Sequence, residues 1–333
     1  MRPETPTLAH VARLAGVSEN TVSRAIRNKG PIAQETRRRV DAAIEALGYV
    51  PNRAAGSLAS SSSLIICVIL PSLSNIVFPE VLRGIHAALA DTPYQAMIGV
   101  TDYDLLQEQK LLSSMLAWQP AAIITTGFDH TEASRQMLRK NNIRVAELMD
   151  IDATPIDLAV GLSHRRAGAE PARHLLGRGY RRIGYVGHDW SADRRAFLRY
   201  EGLRAGLREA GLDVAAEQRF AGASSTMAGR STLAELLERD RCLDAVVFSN
   251  DDMAVGGYMH CLAAAIAVPD TLALFGFNGL DLGQALPKPL STVRSNRFLI
   301  GRTAVEKLLE TPERPAEPVI VNTGFEIIEG ATA

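Results

Sequence analysis

The chain of 333 residues is poor in cysteine: Cys67, Cys242 and Cys261 are its three, and no Cys-X-X-Cys pair occurs. Each lies in an apolar pattern, so buried thiols are expected, and neither a disulfide framework nor a zinc site. Long hydrophobic runs are also missing. The leading candidate, Leu64–Leu70, has the length of a buried strand, far short of the ~20 residues that span a bilayer. The first residues lack the apolar core of a secretion signal, so the expected compartment is cytoplasmic and no membrane partner is expected. The seven histidines, among them His10, His86, His130 and His188, show no HxxxH spacing on one helix. There is no Gly-X-Ser-X-Gly elbow, and "GFNGLDLG" lacks the Lys-Ser or Lys-Thr of a phosphate-binding loop. No metal, cofactor or catalytic role is expected.

Hydrophobic residues make up 47% of the chain, which permits a large core and argues against disorder. The length suits two or three folded units. Net charge is −1 overall, but residues 1–63 carry nine Lys or Arg against five Asp or Glu, while the remainder carries 27 against 32. A basic head on an acidic body suits a localised phosphate contact, although uneven surface charge alone also produces such a split.

The head has helical periodicity. Thr7 is placed to cap a first helix, in which Leu8, Val11, Ala12 and Ala15 share a face. Gly16 permits a turn, and Ser18 can cap a second helix from Glu19 to about Arg27 with Val22, Ala25 and Ile26 inward. A third helix from Gln34 to Leu47 ends at Gly48. Two short helices joined through glycine suggest a helix-turn-helix. In such a module the second helix enters the major groove of double-stranded DNA with its N-terminal residues at base edges. Arg24 then pairs with guanine, Asn20 with adenine, and Glu19 accepts from cytosine. Thr21, Ser23 and Asn28 suit phosphate contacts, and Thr7, Leu8, Ser18, Asn52 and Arg53 complete the expected DNA-binding set. The alternative is a small helical bundle with a solvated polar face.

"PNRAAGSLAS" follows. A helix this short nucleates poorly, and Gly56 costs it a further ~1 kcal/mol. It is expected to order only when packed. Leu58, paired with a second copy across a dimer axis, can wedge into the minor groove; the other reading is a flexible linker with an incidental leucine.

From Leu64 onward apolar strands alternate with amphipathic helices. Strands are expected at Ile65–Leu70, Gln95–Val100, Ala121–Thr125, Val145–Met149, Ile183–Gly187, Ala245–Ser249 and Leu272–Gly276. Helices are expected at Val77–Ala90, Leu105–Trp118, Arg165–Gly177, Arg195–Ala210, Thr226–Glu238 and Asp252–Ala265. This predicts parallel sheets covered by helices, in too many units for one sheet. The expected division is a helix-turn-helix head at 1–50, a hinge at 51–63, and a core at 64–333. Within the core, a first lobe covers about 64–162 and 293–318, and a second about 163–292 and 319–330. Ligands of such folds sit at strand C-termini, where this sequence puts Ser74, Asp150, His188, Asn250 and Asn278. For Ser74 and Asp251 helix capping is the preferred reading, and for Arg194 and Arg195 surface ion pairing.

The strings "VARLAGVSENTVSRAIRN", "ALGYVPNRAAGSLAS" and "LPSLSNIVFPEVLRGI" resemble successive signatures of the lactose-repressor family of bacterial transcription regulators, and the likeness runs through nearly the whole chain. It implies an all-α helix-turn-helix head on a two-lobed α/β core like the periplasmic sugar-binding proteins. It implies base contacts at Glu19, Asn20 and Arg24 and a minor-groove wedge at Leu58. Glu19 is acidic where many relatives are uncharged, which bears on operator sequence. The resemblance also implies effector contacts at Asp150, Arg199, Asn250 and Asn278, with Arg297 as a further pocket residue. Asn278 stands where the lactose repressor has an aspartate. Losing that charge would let Arg199 and Arg297, with Arg194 or Arg195 nearby, clamp an anion. "SMLAWQPAAIITTG", "VAELMDIDATPIDLAVG" and "FSNDDMAVG" resemble the gluconate-operon repressor subgroup, which implies gluconate, ketogluconate or gluconate 6-phosphate as effector. A neutral sugar, or a ligand acting as co-repressor, is the alternative. A homodimer on a near-palindromic operator is expected. The sequence shows no heptad tail, so no tail-built tetramer is expected.

Overall fold

The structure is a computed structural model that describes residues 5–26, 30–50, 63–191 and 193–333. It divides into two compact units, 1–63 and 64–333. Asn28, Asn52, Arg53 and Leu58, and with them nearly all of the expected hinge, lie outside the described residues.

The head contains α1 (Leu8–Ala15), α2 (Glu19–Ile26) and α3 (Gln34–Leu47). The Thr7 side chain accepts from the His10 amide and the His10 ring accepts from the Thr7 amide, closing a capping box on α1. Gly16 ends α1 at φ 64° and Gly48 ends α3 at φ 57°, left-handed conformations that glycine adopts without penalty. Ser18 Oγ accepts from the Thr21 amide at 3.2 Å. Val11, Ala15, Val22, Ala25 and Val40 form the centre of a small core. Arg39 donates to the Ala15 and Gly16 carbonyls, satisfying acceptors that the end of a helix leaves open.

The second unit is built on two six-stranded sheets. In chain order its elements are β1 (Ile65–Leu70), α4 (Val77–Leu89), β2 (Gln95–Val100), α5 (Leu105–Leu116), β3 (Ala122–Thr126), α6 (Glu132–Lys140), β4 (Arg144–Leu148) and β5 (Leu158–Gly161). Then come α7 (His164–Gly177), β6 (Ile183–His188), α8 (Arg194–Arg208), β7 (Ala216–Phe220), α9 (Thr226–Arg239), β8 (Ala245–Phe248) and α10 (Asp251–Ala263). The last are β9 (Ala273–Asn278), α11 (Asp281–Gln284), β10 (Ser291–Ser295), α12 (Arg297–Glu310), β11 (Val319–Asn322) and β12 (Phe325–Ile328).

The first sheet runs β11-β5-β4-β3-β1-β2 and is parallel throughout; the second runs β12-β10-β9-β8-β6-β7, with β12 antiparallel to β10. The chain crosses between lobes after β5, after β10 and between β11 and β12. Two expected boundaries therefore change. Ser295 pairs in the second sheet with the rest of β10, so 293–295 leave the first lobe. Val319–Asn322 pairs with β5, so these residues leave the second. Backbone pairing decides lobe membership here, and the polar β10 and the exposed edge strand β11 give little periodicity to read.

Helices cross closely at glycines. A Cβ on Gly84 of α4 would stand 2.1 Å from the Phe298 carbonyl oxygen of α12, and one on Gly301 as close to that of Val81. Gly168 and Gly202 do the same between α7 and α8, against the Arg199 and Arg165 carbonyls. No larger residue fits at such a crossing without separating the helices. The second pair sets α8, which carries Arg195 and Arg199, directly on α7.

Beneath the first lobe's strand ends, the buried His130 ring lies 2.8 Å from Glu108 and 3.3 Å from Glu147. Burial opposes the imidazolium, but the two glutamates outweigh it and raise its pKa to about 9, against an ordinary ~6.5. A folded-state pKa above the unfolded one stabilises fully below the unfolded value and is lost as pH rises through the folded value. Thermal denaturation followed from about pH 6 to 10 should show Tm falling as pH approaches and passes about 9. His130→Gln should abolish that alkaline limb.

Candidate functional site

A cavity of about 300 Å³ lies between the lobes. The first lobe contributes Asn75 and Phe78, from the entry to α4, and Tyr103, after β2; the second contributes His188, Asp193, Arg195, Arg199, Asn250 and Asn278. Parallel sheets facing each other with their strand C-termini make this the place where loops from both lobes converge.

Asp193 organises the polar wall. It caps α8 by accepting from the Ala196 amide at 3.1 Å. Its carboxylate lies 3.4 Å from His188 Nε2, 3.6 Å from Arg195 Nε and 3.9 Å from Arg199 Nη2. Burial alone would raise its pKa, but the His188 hydrogen bond and the two guanidiniums together hold it well below the carboxylate range. The guanidiniums are also placed by rings. Arg195 lies over Phe78, 5.5 Å from its centroid, and Arg199 over Phe277 at 4.5 Å, favourable contacts for a cation removed from water. Arg199 Nη2 donates to the Ser249 carbonyl at 3.1 Å. Its buried Nε has no hydrogen-bond partner among the described residues, a donor that a ligand can satisfy.

His164 stands beside Arg199. Its Nε2 lies 2.8 Å from the Met149 carbonyl, which can only accept, so Nε2 carries the proton and Nδ1 presents a lone pair. That lone pair is 3.4 Å from Arg199 Nη1. Burial first, and then the charges of Arg199 and Arg195, keep the imidazole pKa well below its ordinary value. The ring is therefore a neutral acceptor at neutral pH.

The expected effector residues divide. His188, Arg199, Asn250 and Asn278 line the cavity. Asn250 also caps α10, accepting from the Met253 amide at 3.1 Å. Asp150 lines a smaller adjoining space of about 70 Å³ that shares Tyr103, Asp193 and Arg195 with the main cavity. Desolvation raises the Asp150 pKa. Ser74 is exposed, 3.0 Å from Ser72 Oγ, and lines neither space. Arg297 lines neither space as well: its Nε is 2.6 Å from Glu80 Oε2, and its Nη1 donates to the Asn278 carbonyl. At the cavity the guanidinium beside Arg199 is that of Arg195 and not that of Arg297. Surface pairing describes Arg194, exposed and 3.7 Å from Asp129, but not Arg195. Sequence reasoning overlooked Asp193, Tyr103 and His164. Asking which acid neutralises two cavity arginines points to Asp193, two residues before one and six before the other.

Ser249 Oγ lies 2.9 Å from His188 Nδ1, which completes a serine–histidine–aspartate line. Ser249 is only 2% exposed and does not line the cavity, so the hydroxyl has no path to a substrate carbonyl. Among the described residues no cluster of three metal-binding side chains occurs, and no helix is long and apolar enough to cross a membrane.

On the head, Val22 and Ala25 of α2 are buried while Ser18, Glu19, Asn20 and Arg24 are exposed. At 100° per residue, Asn20 and Arg24 fall opposite the buried face. Thr21 and Ser23 flank it half-buried, and Thr7 is exposed beside half-buried Leu8.

Residues 7–52 match the bacterial regulatory proteins of the lacI family, and residues 172–333 match the periplasmic binding protein-like domain. The HTH-type transcriptional regulator GntR of Pseudomonas aeruginosa is 38% identical over 97% of this chain and 94% of its own length. A solved LacI-family transcriptional regulator from Silicibacter pomeroyi is 44% identical with a TM-score of 0.92, covering 98% of this chain and 99% of its own. The lac repressor dimer bound to operator and an anti-inducer shares the fold, with a TM-score of 0.88 at 23% identity over 99% of each chain.

Asp193→Asn should keep the helix cap but leave two guanidiniums without a counter-charge. The expected cost is on the order of 1–3 kcal/mol of stability, read by calorimetric unfolding. Added sulfate should recover part of it in the variant.

Proposed function

The chain belongs to the lacI family of bacterial regulatory proteins, and from that premise we propose that it is a repressor whose hold on its operator is released by a small sugar acid bound between the lobes. That it is a DNA-binding transcription regulator and not an enzyme follows from the family. The effector and the direction of its effect are the proposal.

The observation that carries it is the pair Arg195 and Arg199 on one wall of the cavity, with a buried Nε donor unpartnered. Forked guanidinium donors match a carboxylate or phosphate in shape and charge. Around them Asp189, Asp102 and Asn250 also line the space, a set suited to hydroxyl groups. An anionic polyol satisfies both. The motif likeness to gluconate-operon repressors supports gluconate, ketogluconate or gluconate 6-phosphate. The cavity size agrees with a ligand of this scale.

Two copies of the chain meet a near-palindromic operator, Glu19, Asn20 and Arg24 read bases, and Thr7, Leu8, Ser18, Thr21, Ser23, Asn28, Asn52 and Arg53 fix the register on the backbone. Leu58 is assigned the minor-groove wedge. Ligand acts by its differential affinity for the DNA-competent and released states.

Two results test this. Calorimetry with gluconate, 2-ketogluconate, gluconate 6-phosphate and glucose should show the acids preferred, and Arg195→Met or Arg199→Met should erase most of the preference; equal affinity for glucose overturns the anion reading. Arg24→Ala should cost ~1–3 kcal/mol of operator discrimination, measured by titrating operator against random DNA. Unchanged base preference would remove Arg24 from the reading set.

A further inference from the structure

Arg297 begins α12, a helix packed on the first lobe, yet its guanidinium also reaches the second. The side chain is 7% exposed. Its Nε pairs with Glu80 Oε2 on α4 at 2.6 Å, and its Nη1 donates to the main-chain carbonyl of Asn278. Asn75, Val77 and Phe78, at the start of the segment that holds Glu80, line one side of the cavity; Asn278 lines the other.

Asn278 has φ 127°, a conformation an L-residue keeps only where its surroundings over-determine it. The surroundings do so from both directions. Arg297 holds the Asn278 carbonyl. Two residues on, the Leu280 amide donates to Asp251 Oδ2 at 2.7 Å, and Thr292 Oγ1 donates to Asp251 Oδ1 at 2.6 Å. Between them Gly279 takes φ 66°. Without Arg297, the Asn278 carbonyl loses this side-chain donor and the asparagine can relax out of the cavity wall.

We propose that Arg297 is a positioning residue rather than an effector contact: it holds Asn278 in its strained pose against the ligand space and, through Glu80, ties that wall of the cleft to α4 in the other lobe. The proposal rests on the reading of the cavity as the effector site. Arginine suits the task because its planar fork serves a carboxylate and a carbonyl at once, where lysine offers a single point charge. The adjacent Glu80 carboxylate also offsets the charge that Arg297 would otherwise present to an anion.

The test uses the full chain with Glu80→Ala, Arg297→Met, Arg297→Lys and, as a control, Arg302→Ala, which breaks an exposed pair with Glu306 further along the same helix. Without ligand, hydrogen exchange in a peptide covering 278–284 should quicken several-fold in Glu80→Ala and Arg297→Met, less in Arg297→Lys, and not in the control. Exchange that changes in α4 and α12 alone would overturn the strap. With gluconate, Glu80→Ala and Arg297→Met should each weaken Kd by roughly three- to tenfold, and the double variant should be no weaker than Arg297→Met alone. If Arg297 instead touches the anion, Arg297→Met loses affinity while Glu80→Ala does not, and the proposal fails. If the parent chain binds no sugar acid, the proposed effector is wrong, while the ligand-free exchange still decides the strap. Should Arg297→Met not fold, Glu80→Ala and Arg297→Lys carry both readouts.

Discussion

Removing a guanidinium from water is costly unless a counter-charge and hydrogen-bond acceptors travel with it. In this protein one carboxylate, Asp193, serves two of them. It stands at the N-terminus of α8, where the helix dipole also favours an anion, and it gathers Arg195, Arg199 and His188 onto one surface. The arrangement brings both guanidiniums to the cavity wall on one shared acid. It depends in turn on the glycine crossing of α7 with α8, which sets Arg199 beside His164. Exchange of either glycine for a larger residue would move the charged hub, since both close contacts are to backbone.

The hub also spans the cleft. Arg195 comes from the second lobe and lies over Phe78 of the first. Arg297 starts on the first lobe's helix and holds a carbonyl of the second. Cleft geometry is thus recorded by a few side chains that cannot all keep their partners if the lobes rotate. A ligand that bridges the same walls shifts the balance between such arrangements only by as much as it prefers one of them, and these contacts are where a preference can be expressed.

Much of the fold was legible because most inner strands are buried on both faces and read as continuous apolar runs, while the edge strand β2 was legible although it is largely exposed. β1 and β2 match expectation residue for residue, and β3, β4, β6 and β8 to within a residue at either end. The strands that escaped are short or polar. β7, Ala-Glu-Gln-Arg-Phe, and β11 are sheet edges with little burial. α6, Glu132–Lys140, is polar and buries little beyond Ser134 and Leu138. The cavity lining was legible where a residue ends or closely follows a strand, as with His188, Asn250 and Asn278. It was not legible where placement depends on helix packing. Asp193 looks like one more acid in a polar loop until α8 seats its partners around it. Arg297 looks like a pocket cation until Glu80, 217 positions away, takes its Nε.

An anion held by Arg195 and Arg199 should alter DNA affinity. The most direct measurement is equilibrium titration of operator DNA with the full chain, with and without saturating sugar acid, for the parent and Arg199→Met at fixed salt, since phosphate contacts make affinity salt-dependent. The acid should weaken operator binding of the parent at least about tenfold, leave random-sequence binding little changed, and have no effect on the variant. Operator affinity that is indifferent to bound acid, or equally sensitive in the variant, would contradict it.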